Sequence, residues 1–473
     1  MGVSAVKLTV MVLLLGLSTV AAARPDSPGS TDMYRFAVGD VVEHVDSAGG
    51  HVRVFFTRSG VNAVPAVDTD VNGTPDDVDQ VAQLYEDVLA FYTGRGYQAP
   101  LSDALLADNG GDGRFDVYLV DFAGKADGIF VRQGCGADNR CSGYMVQEND
   151  FAGYGYPSLT YANRVLSSHE FFHAVQASYD NSESTVFLEG TAVWATEQFD
   201  ASLKDFEGFV GGYLSRPSHS LDLPLPGPVD AFSYGAAIFF QYLGEKYGPV
   251  VIRELWEAAD GTPTWFDAVD GVLKTHHSSF ADAFFGFARW NLFTGKRADP
   301  TQSYAAGAGY PLLTVEAGTF PVNTPSLRVF ESATSYLAVP VSGRTTVTTS
   351  LVMPAGSDGS PLRFAVALRK GNVVSAPVVA DFTLPIIVDS TGADEVLIVV
   401  SNTAQSGESL KPGLCAGSSD EVDACRVQLG AMPLSMAPTP PKKDGCNATG
   451  GTPGVDSVLW VAGLIAWRRR RYS

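Results

Sequence analysis

The sequence has 473 residues, of which 45% are hydrophobic and 11% aromatic, so the chain can form more than one buried core. A length of this kind favours two or three domains. The formal charge is −20, from 32 basic and 52 acidic residues. Because such a surface repels a phosphate backbone, the composition argues against a nucleic-acid partner and favours a soluble protein that can bind calcium.

Residues 1–23 have the pattern of a secretory signal peptide. Lys7 provides a short basic region, an apolar run follows over residues 8–20, and three alanines precede Arg24. The sequence therefore predicts an exported protein, either secreted or held at the cell surface. In that environment two pairs of nearby cysteines are predicted to form local disulfides: Cys135 with Cys141, and Cys415 with Cys425.

Residues 68–79 (DTDVNGTPDDVD) space their oxygen donors as a calcium-binding loop does, with a glycine at the sharp turn. An acidic N-terminus for the helix that follows is the alternative, since carboxylates suit that position. Residues 108–116 (DNGGDGRFD) are a weaker second candidate for calcium. The predicted ligands of the first loop are Asp68, Asp70, Asn72, Asp76 and Asp79.

Residues 161–199 contain the residue types of a catalytic metal site. In HEFFH, His169 and His173 lie four residues apart on one face of a predicted helix, where both imidazoles can bind one metal ion. Glu170 projects about 100° further round the helix, beside the ion, where it can take a proton from the attacking water. This spacing predicts a zinc site.

A third ligand is predicted on a second helix, which follows a polar turn at residues 180–185. Glu189 on that helix can return to the same ion, and three protein ligands are typical of catalytic zinc. Gln176 and Tyr179 stand where the metzincin pattern has Gly and His, which excludes that class. Asp230 is one residue too far from Tyr234 for an Asp-ligand motif. Glu197 is an alternative third ligand, but it lies two turns beyond Glu189 on the same face, so we interpret it as a supporting residue.

These segments resemble the gluzincins, especially the peptidase-MA-like families. Their zinc helix is followed by W/F-L-x-E-G-x-A-x-W/Y and later by Y-x-x-G-x-x-F-x-x-Y-L, and the corresponding segments here are FLEGTAVW and SYGAAIFFQYLGEKYG. The resemblance covers about residues 35–300 and predicts a metallopeptidase domain over residues 34–300. It implies an α+β fold with an N-terminal mixed sheet, the HExxH helix and a helical C-terminal subdomain.

The same resemblance implies a role for each site residue. His169, His173 and Glu189 would be ligands of Zn²⁺, Glu170 the general base and Tyr234 the donor to the tetrahedral intermediate. In gluzincin-like folds the last strand before the zinc helix borders the cleft, so residues 144–148 are expected to pair with an extended polypeptide substrate.

Residues 305–430 change to short alternating runs separated by Gly, Pro and Ser, which predicts an antiparallel β-sandwich with an accessory role. Residues 431–445 form a Pro-rich linker. Residues 446–473 combine Cys446, an apolar span at 455–467 and four arginines at 468–471. This apolar span is short for a permanent bilayer helix, which needs about twenty apolar residues.

This tail resembles the Cys, transmembrane and Arg sorting tails (MYXO-CTERM type) of myxobacterial surface proteins. The resemblance implies processing at Cys446 by sorting machinery and membrane contact through the tail. A simple C-terminal membrane anchor is the alternative.

The sequence as a whole predicts a secreted or surface-anchored zinc metalloendopeptidase, with Ca²⁺ as a further cofactor. The alternative is a calcium-dependent surface adhesin or binding protein on an inactive peptidase fold. The intact HExxH motif with its matching Glu189 favours the peptidase, because a decayed site is expected to lose a ligand. A different metallohydrolase on the same scaffold is a third possibility.

Overall fold

The computed structural model describes residues 23–27, 30, 34–226, 230–259, 264–407 and 409–436. The predicted signal peptide up to residue 22, most of the Pro-rich linker and the tail with Cys446 lie outside the described residues. The chain divides into two compact units, Met1–Leu434 and Ser435–Ser473, and the elements below belong to the first. Within the described ranges, no helix has the length and apolar character needed to span a membrane.

Helices dominate the middle of the first unit, and strands dominate its two ends. The helices are α1 (Asp76–Gly94), α2 (Leu159–Ala177), α3 (Thr185–Phe199), α4 (Asp205–Phe209), α5 (Gly211–Leu214), α6 (Ala231–Gly235), α7 (Ala237–Tyr247), α8 (Val250–Ala259), α9 (Trp265–Thr275), α10 (Phe280–Trp290) and α11 (Ser419–Gln428). The strands are β1 (Val42–Asp46), β2 (Val52–Thr57), β3 (Phe115–Leu119), β4 (Gly128–Cys135), β5 (Cys141–Gln147), β6 (Glu316–Ala317), β7 (Val322–Thr324), β8 (Ala333–Pro340), β9 (Thr346–Val352), β10 (Leu362–Lys370), β11 (Val373–Val374), β12 (Val378–Ala380), β13 (Ile386–Asp389), β14 (Glu395–Asn402) and β15 (Gly413–Gly417).

The N-terminal sheet is mixed, as predicted, with the strand order β1-β2-β3-β5-β4. β2, β3 and β5 run parallel, while β1 and β4 pair antiparallel at the two edges. Alternate residues of β2 face opposite sides, as the two-residue period of a strand requires. Val54 packs towards the helices, whereas Phe55 stacks on Tyr118 beneath the N-terminal segment around Tyr34 and Phe36.

Two further sheets lie after residue 305, one of six strands and one of four. The pairs in both sheets are antiparallel except that β6 runs parallel to β8, which departs from the all-antiparallel prediction. Side chains from both sheets form one buried cluster that includes Val339, Phe364 and Ile398. The structure is therefore a mixed α+β fold with several sheets.

The six-stranded sheet is buried on both faces, which explains its long apolar runs. Phe364 and Val366 of β10 face the four-stranded sheet, while the intervening Ala365 and Ala367 belong to the same core as the helices. Small side chains on that face let the helices approach the sheet closely. The predicted division between residues 34–300 and 305–430 stays a prediction.

Both predicted disulfides are present in the structure. Cys135 and Cys141 join the end of β4 to the start of β5 with an S–S distance of 2.08 Å. Cys415 of β15 and Cys425 of α11 are joined at 1.98 Å. Two disulfides are compatible with an exported protein.

Candidate metal centre

Helix α2 carries the HEFFH motif and is buried along most of its length. The side chain of Ser158 caps its N-terminus by accepting a hydrogen bond from the backbone N–H of Tyr161. The helix packs against β4 and β5 on one side and against α1 and α3 on others. A helix enclosed in this way has no polar face, so the buried His169, Glu170 and His173 need partners inside the protein.

Helix α3 brings Glu189 to the two histidines. Ser184 caps this helix through a hydrogen bond from Phe187 N–H. The next residue after Glu189 is Gly190, where an added Cβ would lie 2.6 Å from the Phe240 ring of α7. Glycine therefore permits the close packing of α3 on α7 that positions the carboxylate.

The predicted ligand atoms converge on one point. Glu189 Oε2 lies 3.3 Å from His169 Nε2 and 3.6 Å from His173 Nε2. His169, Glu170 and His173 also form a group whose potential ligand atoms all lie within 4.8 Å of one another. The structure thus brings together the three side chains that the sequence assigned to one ion.

Several buried polar atoms of this cluster lack a hydrogen-bond partner among the described residues, namely His173 Nε2, Glu189 Oε1, Glu170 Oε1 and Tyr234 Oη. Leaving a buried polar atom unpaired costs about 1–3 kcal/mol. A divalent ion would satisfy the imidazole and carboxylate atoms, and this donor set of two nitrogens and one carboxylate suits such an ion.

The charges of the cluster also favour a bound cation. Burial alone would lower the pKa of His173, but the carboxylates of Glu189 and Glu170 raise it to about 9. Burial alone would raise the pKa of Glu189, but His173 and His169 together lower it below its ordinary value. The raised pKa of His173 shows that the buried carboxylates favour a positive charge at this point, which a bound cation would supply.

Gln176 orients His173, a role that sequence reasoning missed. The Gln176 side-chain N–H groups donate to the carbonyl oxygen of Leu188 at 2.8 Å and to Thr191 Oγ1 at 2.9 Å. Its Oε1 therefore faces His173 Nδ1 at 2.7 Å and accepts that N–H. The proton on Nδ1 leaves the lone pair of His173 on Nε2, which points to Glu189. The only signal in the sequence is a Gln one turn after His173.

Glu170 is fully buried beside the two histidines. Its Oε2 accepts a hydrogen bond from Phe130 N–H of β4 at 3.3 Å, and burial raises the pKa of its carboxyl. Because Oε2 is held by the strand, Oε1 is the oxygen free to accept a proton.

Tyr234 lies over the cluster. Its ring stacks on His169 with a centroid distance of 5.8 Å and an interplanar angle of 15°, and Phe209 stacks on it at 5.2 Å. Burial and the nearby Glu189 and Glu170 carboxylates raise the pKa of its hydroxyl well above the ordinary value. The phenol therefore stays protonated and can donate a hydrogen bond.

The motif segment at residues 233–248 folds into two helices, α6 and α7, joined at Ala236. Gly235 allows this geometry, because an added Cβ would lie 2.4 Å from Tyr213 N of α5.

Asp230, considered as a ligand from the sequence, instead caps α6 by accepting a hydrogen bond from Phe232 N–H at 3.0 Å. Glu197 lies among Asp205, Glu207 and Asp200 rather than beside Glu189, and burial raises its pKa to about 7.

The expectation that residues 144–148 form the strand at the cleft is wrong. β5 lies between β3 and β4, so its backbone groups already pair on both sides. β4 holds the edge of the sheet, and its Phe130 N–H points at Glu170. Strand order depends on tertiary pairing, which local sequence patterns do not contain.

The other five histidines lie outside this cluster. His51 pairs with Glu86 at 2.9 Å, and His276 pairs with Glu254 at 2.7 Å. His219 contacts the carbonyl oxygen of Leu223.

The predicted calcium loop folds into a compact turn before α1. Asp68, Asp70 and Asp76 form a group whose ligand atoms all lie within 4.8 Å of one another. Asn72 donates its side-chain N–H groups to Asp70 at 3.1 Å and to Asp79 at 2.8 Å. The loop thus gathers all five side chains, and calcium binding there stays a prediction.

Comparison with known proteins gives little further information. No protein-family model matches the sequence, and no curated protein matches it. Among solved structures, aminopeptidase A of Legionella pneumophila in complex with aspartic acid is similar at a TM-score of 0.33 and 12% identity. The match covers 79% of this chain but only 36% of the aminopeptidase. At this TM-score the similarity establishes neither a common fold nor a common activity.

Proposed function

We propose that the protein is a zinc-dependent endopeptidase of gluzincin type that hydrolyses peptide bonds in polypeptides. The supporting observation is that three predicted ligand atoms converge in a buried site. Glu189 Oε2 lies 3.3 Å from His169 Nε2 and 3.6 Å from His173 Nε2. Three protein ligands with a remaining open position are typical of catalytic rather than structural zinc. Glu170 and Tyr234 lie beside this group with free polar atoms.

Glu170 is the proposed general base. A zinc ion in this site would supply Lewis acidity that polarises a peptide carbonyl and makes water more acidic. Glu170 Oε1 is free to take the proton of the attacking water and to pass it to the leaving amine, since Oε2 is held by Phe130 N–H. Burial raises the pKa of Glu170, which makes its carboxylate a better proton acceptor near neutral pH.

Tyr234 is the proposed hydrogen-bond donor to the substrate carbonyl oxygen as that oxygen gains negative charge. Its hydroxyl has no partner among the described residues, and the stacking of its ring between His169 and Phe209 fixes its direction. A donor held in place before the reaction costs no reorganisation when the charge develops.

The free edge of β4 is the proposed place for an extended substrate. An edge strand offers unpaired backbone groups to a peptide, and β4 already directs one amide at the general base. Glu170 and Glu189 are fully buried and His173 is 8% exposed, so the side chains that cover the centre must move before a peptide reaches it.

The remaining predictions extend this proposal to the whole protein. We propose that residues 305–430 form a β-sandwich with an accessory role, and that the loop at residues 68–79 binds calcium. We also propose export through the N-terminal signal and surface attachment through the tail with Cys446. The two disulfides are compatible with this location.

The direct test of the activity is Glu170→Gln in the full-length protein. Gln keeps the shape of the side chain and can still accept from Phe130 N–H, but it takes no proton. We expect normal zinc content and a loss of at least about a thousandfold in hydrolysis of unfolded casein. Glu257→Gln, an exposed position on α8, is the matched control and should keep full activity. Hydrolysis retained in Glu170→Gln would remove the general base from the proposal.

A further inference from the structure

Four carboxylates lie next to the metal centre and have no role in the proposed hydrolysis. Asp127 precedes β4, Glu197 is in the last turn of α3, and Asp205 and Glu207 are in α4. Asp205 interacts electrostatically with His169, with Asp127 and with Glu207, and Glu197 interacts with both residues of α4. These interactions link the four residues into one group, called here the acidic cluster, which reaches His169 through Asp205.

No lysine or arginine among the described residues forms an ion pair with the acidic cluster, although His169 interacts electrostatically with Asp205. Arg164 is paired with Asp200 at 2.7 Å. Asp127 Oδ1, Asp205 Oδ2 and Glu207 Oε2 are buried and accept no hydrogen bond within the described chain. Asp127 is 3% exposed, and only its Oδ2 has a donor, the hydroxyl of Tyr156. Carboxylates held in this way are costly unless a cation binds them.

A tyrosine hydroxyl gives an independent sign of a missing ligand. Tyr310 is 3% exposed, and its hydroxyl has no hydrogen-bond partner within the described residues. It interacts electrostatically with Glu245, Glu197 and Glu207, and the adjacent Gly309 lies close to the Glu207 carboxylate. A buried phenol oxygen beside carboxylates offers one more acceptor to a group that carries several N–H donors.

Two aromatic rings stand beside the same carboxylates. Tyr156 interacts with Asp127 and Asp205, Tyr161 interacts with Asp205 and Glu207, and their ring centroids are 5.9 Å apart. Aromatic rings next to carboxylates are suited to organic cations, because the ring faces attract positive charge.

We propose that Asp127, Asp205 and Glu207 form a subsite that binds a cationic group of the peptide substrate, an ammonium or a guanidinium, beside the scissile bond. This inference rests on the proposed peptidase function and names its substrate class. The described chain has groups of three ligands within 4.8 Å at His169 and at Asp68, but not at the acidic cluster. The wider spacing suits a polyatomic cation better than a bare metal ion.

The first experiment measures kcat/KM of the full-length zinc protein on fluorogenic peptides that differ at one position, with Lys, Arg, Leu or Glu. We expect Lys and Arg peptides to be cleaved at least tenfold better than Leu peptides, and Glu peptides to be the poorest.

Asp205→Asn and Glu207→Gln should each lower kcat/KM for basic peptides at least tenfold by raising KM. The kcat/KM for Leu peptides and the zinc content should change little. Glu257→Gln is the control. Equal cleavage of basic and neutral peptides by the wild-type protein would overturn the inference and leave the peptidase function standing.

The same peptides with free or acetylated N-termini distinguish the source of the cation. A preference for Lys or Arg that survives acetylation assigns the subsite to a side chain. A loss of cleavage on acetylation, whatever the side chain, assigns the subsite to the substrate's α-ammonium group.

A binding measurement separates failure of the subsite from failure of the proposed activity. Zinc-loaded Glu170→Gln is titrated with argininamide in a calorimeter, because this variant should bind without turning over. We expect saturable binding to this variant. In the double variant that also carries Asp205→Asn, the affinity for argininamide should be at least tenfold lower. Binding without any peptide hydrolysis by the wild type would support the subsite and refute the peptidase. No binding of argininamide would refute the subsite.

Discussion

Neighbouring residues that are not themselves predicted ligands fix the orientation and proton position of side chains in the metal centre. Gln176 fixes which nitrogen of His173 carries the proton, and Phe130 N–H occupies one oxygen of Glu170. Each of these contacts leaves one free atom directed at the centre. Such outer contacts typically change metal affinity or activity 10- to 100-fold when removed, so they belong to the site as much as the ligands do.

Replacement of Tyr234 by Phe tests the proposed oxyanion donor. The ring contacts with His169 and Phe209 remain, and only the hydroxyl is lost. We expect kcat to fall about 10²- to 10³-fold with little change in KM, because the hydrogen bond forms with developing charge. Zinc content should equal that of the wild type. An unchanged kcat would show that the hydroxyl does not contact the reacting carbonyl.

At the scale of elements, the short loop between α2 and α3 determines how Glu189 meets the zinc helix. Burial and the neighbouring Asp180 raise the pKa of Glu183 in this loop to about 7. Between pH 4.5 and 7 the folded protein keeps a proton that the unfolded chain has lost. The free energy of unfolding should therefore decrease as pH rises through this window.

Glu183→Gln removes that proton equilibrium. We expect the variant to be about 1–2 kcal/mol more stable than the wild type at pH 8, after discounting for the partial exposure of the side chain. The difference should vanish below pH 4.5. Urea unfolding at pH 4.5, 6 and 8 gives the comparison, and a difference that does not depend on pH would contradict the assignment.

The start of the described chain is held by one buried arginine. Arg24 is 0% exposed, forms ion pairs with Asp103 and Asp116, and donates to Tyr118 Oη at 3.1 Å and Gln133 Oε1 at 2.9 Å. Removal of the guanidinium leaves two buried carboxylates without a partner. We expect Arg24→Ala to lose about 3–5 kcal/mol of unfolding free energy in urea titrations.

A surface arginine provides the control for that experiment. Arg58 pairs with Glu43 at 2.9 Å, but both side chains are more than 40% exposed. We expect Arg58→Ala to cost less than about 1 kcal/mol. Equal losses for the two variants would contradict the structural role of Arg24.

The sequence was most informative where the geometry is local. The four-residue spacing of His169 and His173 on one helix fixes their relative direction, and the structure brings Glu189 to them as the spacing predicted. Both disulfides were also predictable, because each joins cysteines at a short separation in the chain, whereas the mixed N-terminal sheet was implied by the gluzincin resemblance.

Features that depend on distant parts of the chain were not predictable. The edge position of β4 follows from strand order, which only tertiary pairing determines. The acidic cluster joins Asp127 to Asp205 and Glu207 across almost eighty residues, and each looks like an ordinary surface acid in the sequence. Tyr310 adds a residue from still further along the chain.

At the scale of the whole molecule, a continuous core links the helices around the metal centre to the sheets that follow residue 305. Tyr336 of β8 donates its hydroxyl to the carbonyl oxygen of Ala288 in α10 at 2.7 Å, and Leu221 N–H donates to Ser332 at 3.0 Å. The six-stranded sheet therefore supports the helical layer as well as its own core. Together with a charge of −20, these contacts describe an acidic scaffold around the candidate metal centre at His169, Glu170 and His173.

The existence of that metal centre is open to a direct measurement. Purified protein is analysed for metal by mass spectrometry, and its hydrolysis of unfolded casein is followed with and without a zinc chelator. We expect one zinc per chain, and cleavage that the chelator abolishes and added zinc restores. Zinc without cleavage would retain the site but not the proposed activity. The absence of both bound metal and cleavage would contradict the metallopeptidase and would favour a binding protein on an inactive fold.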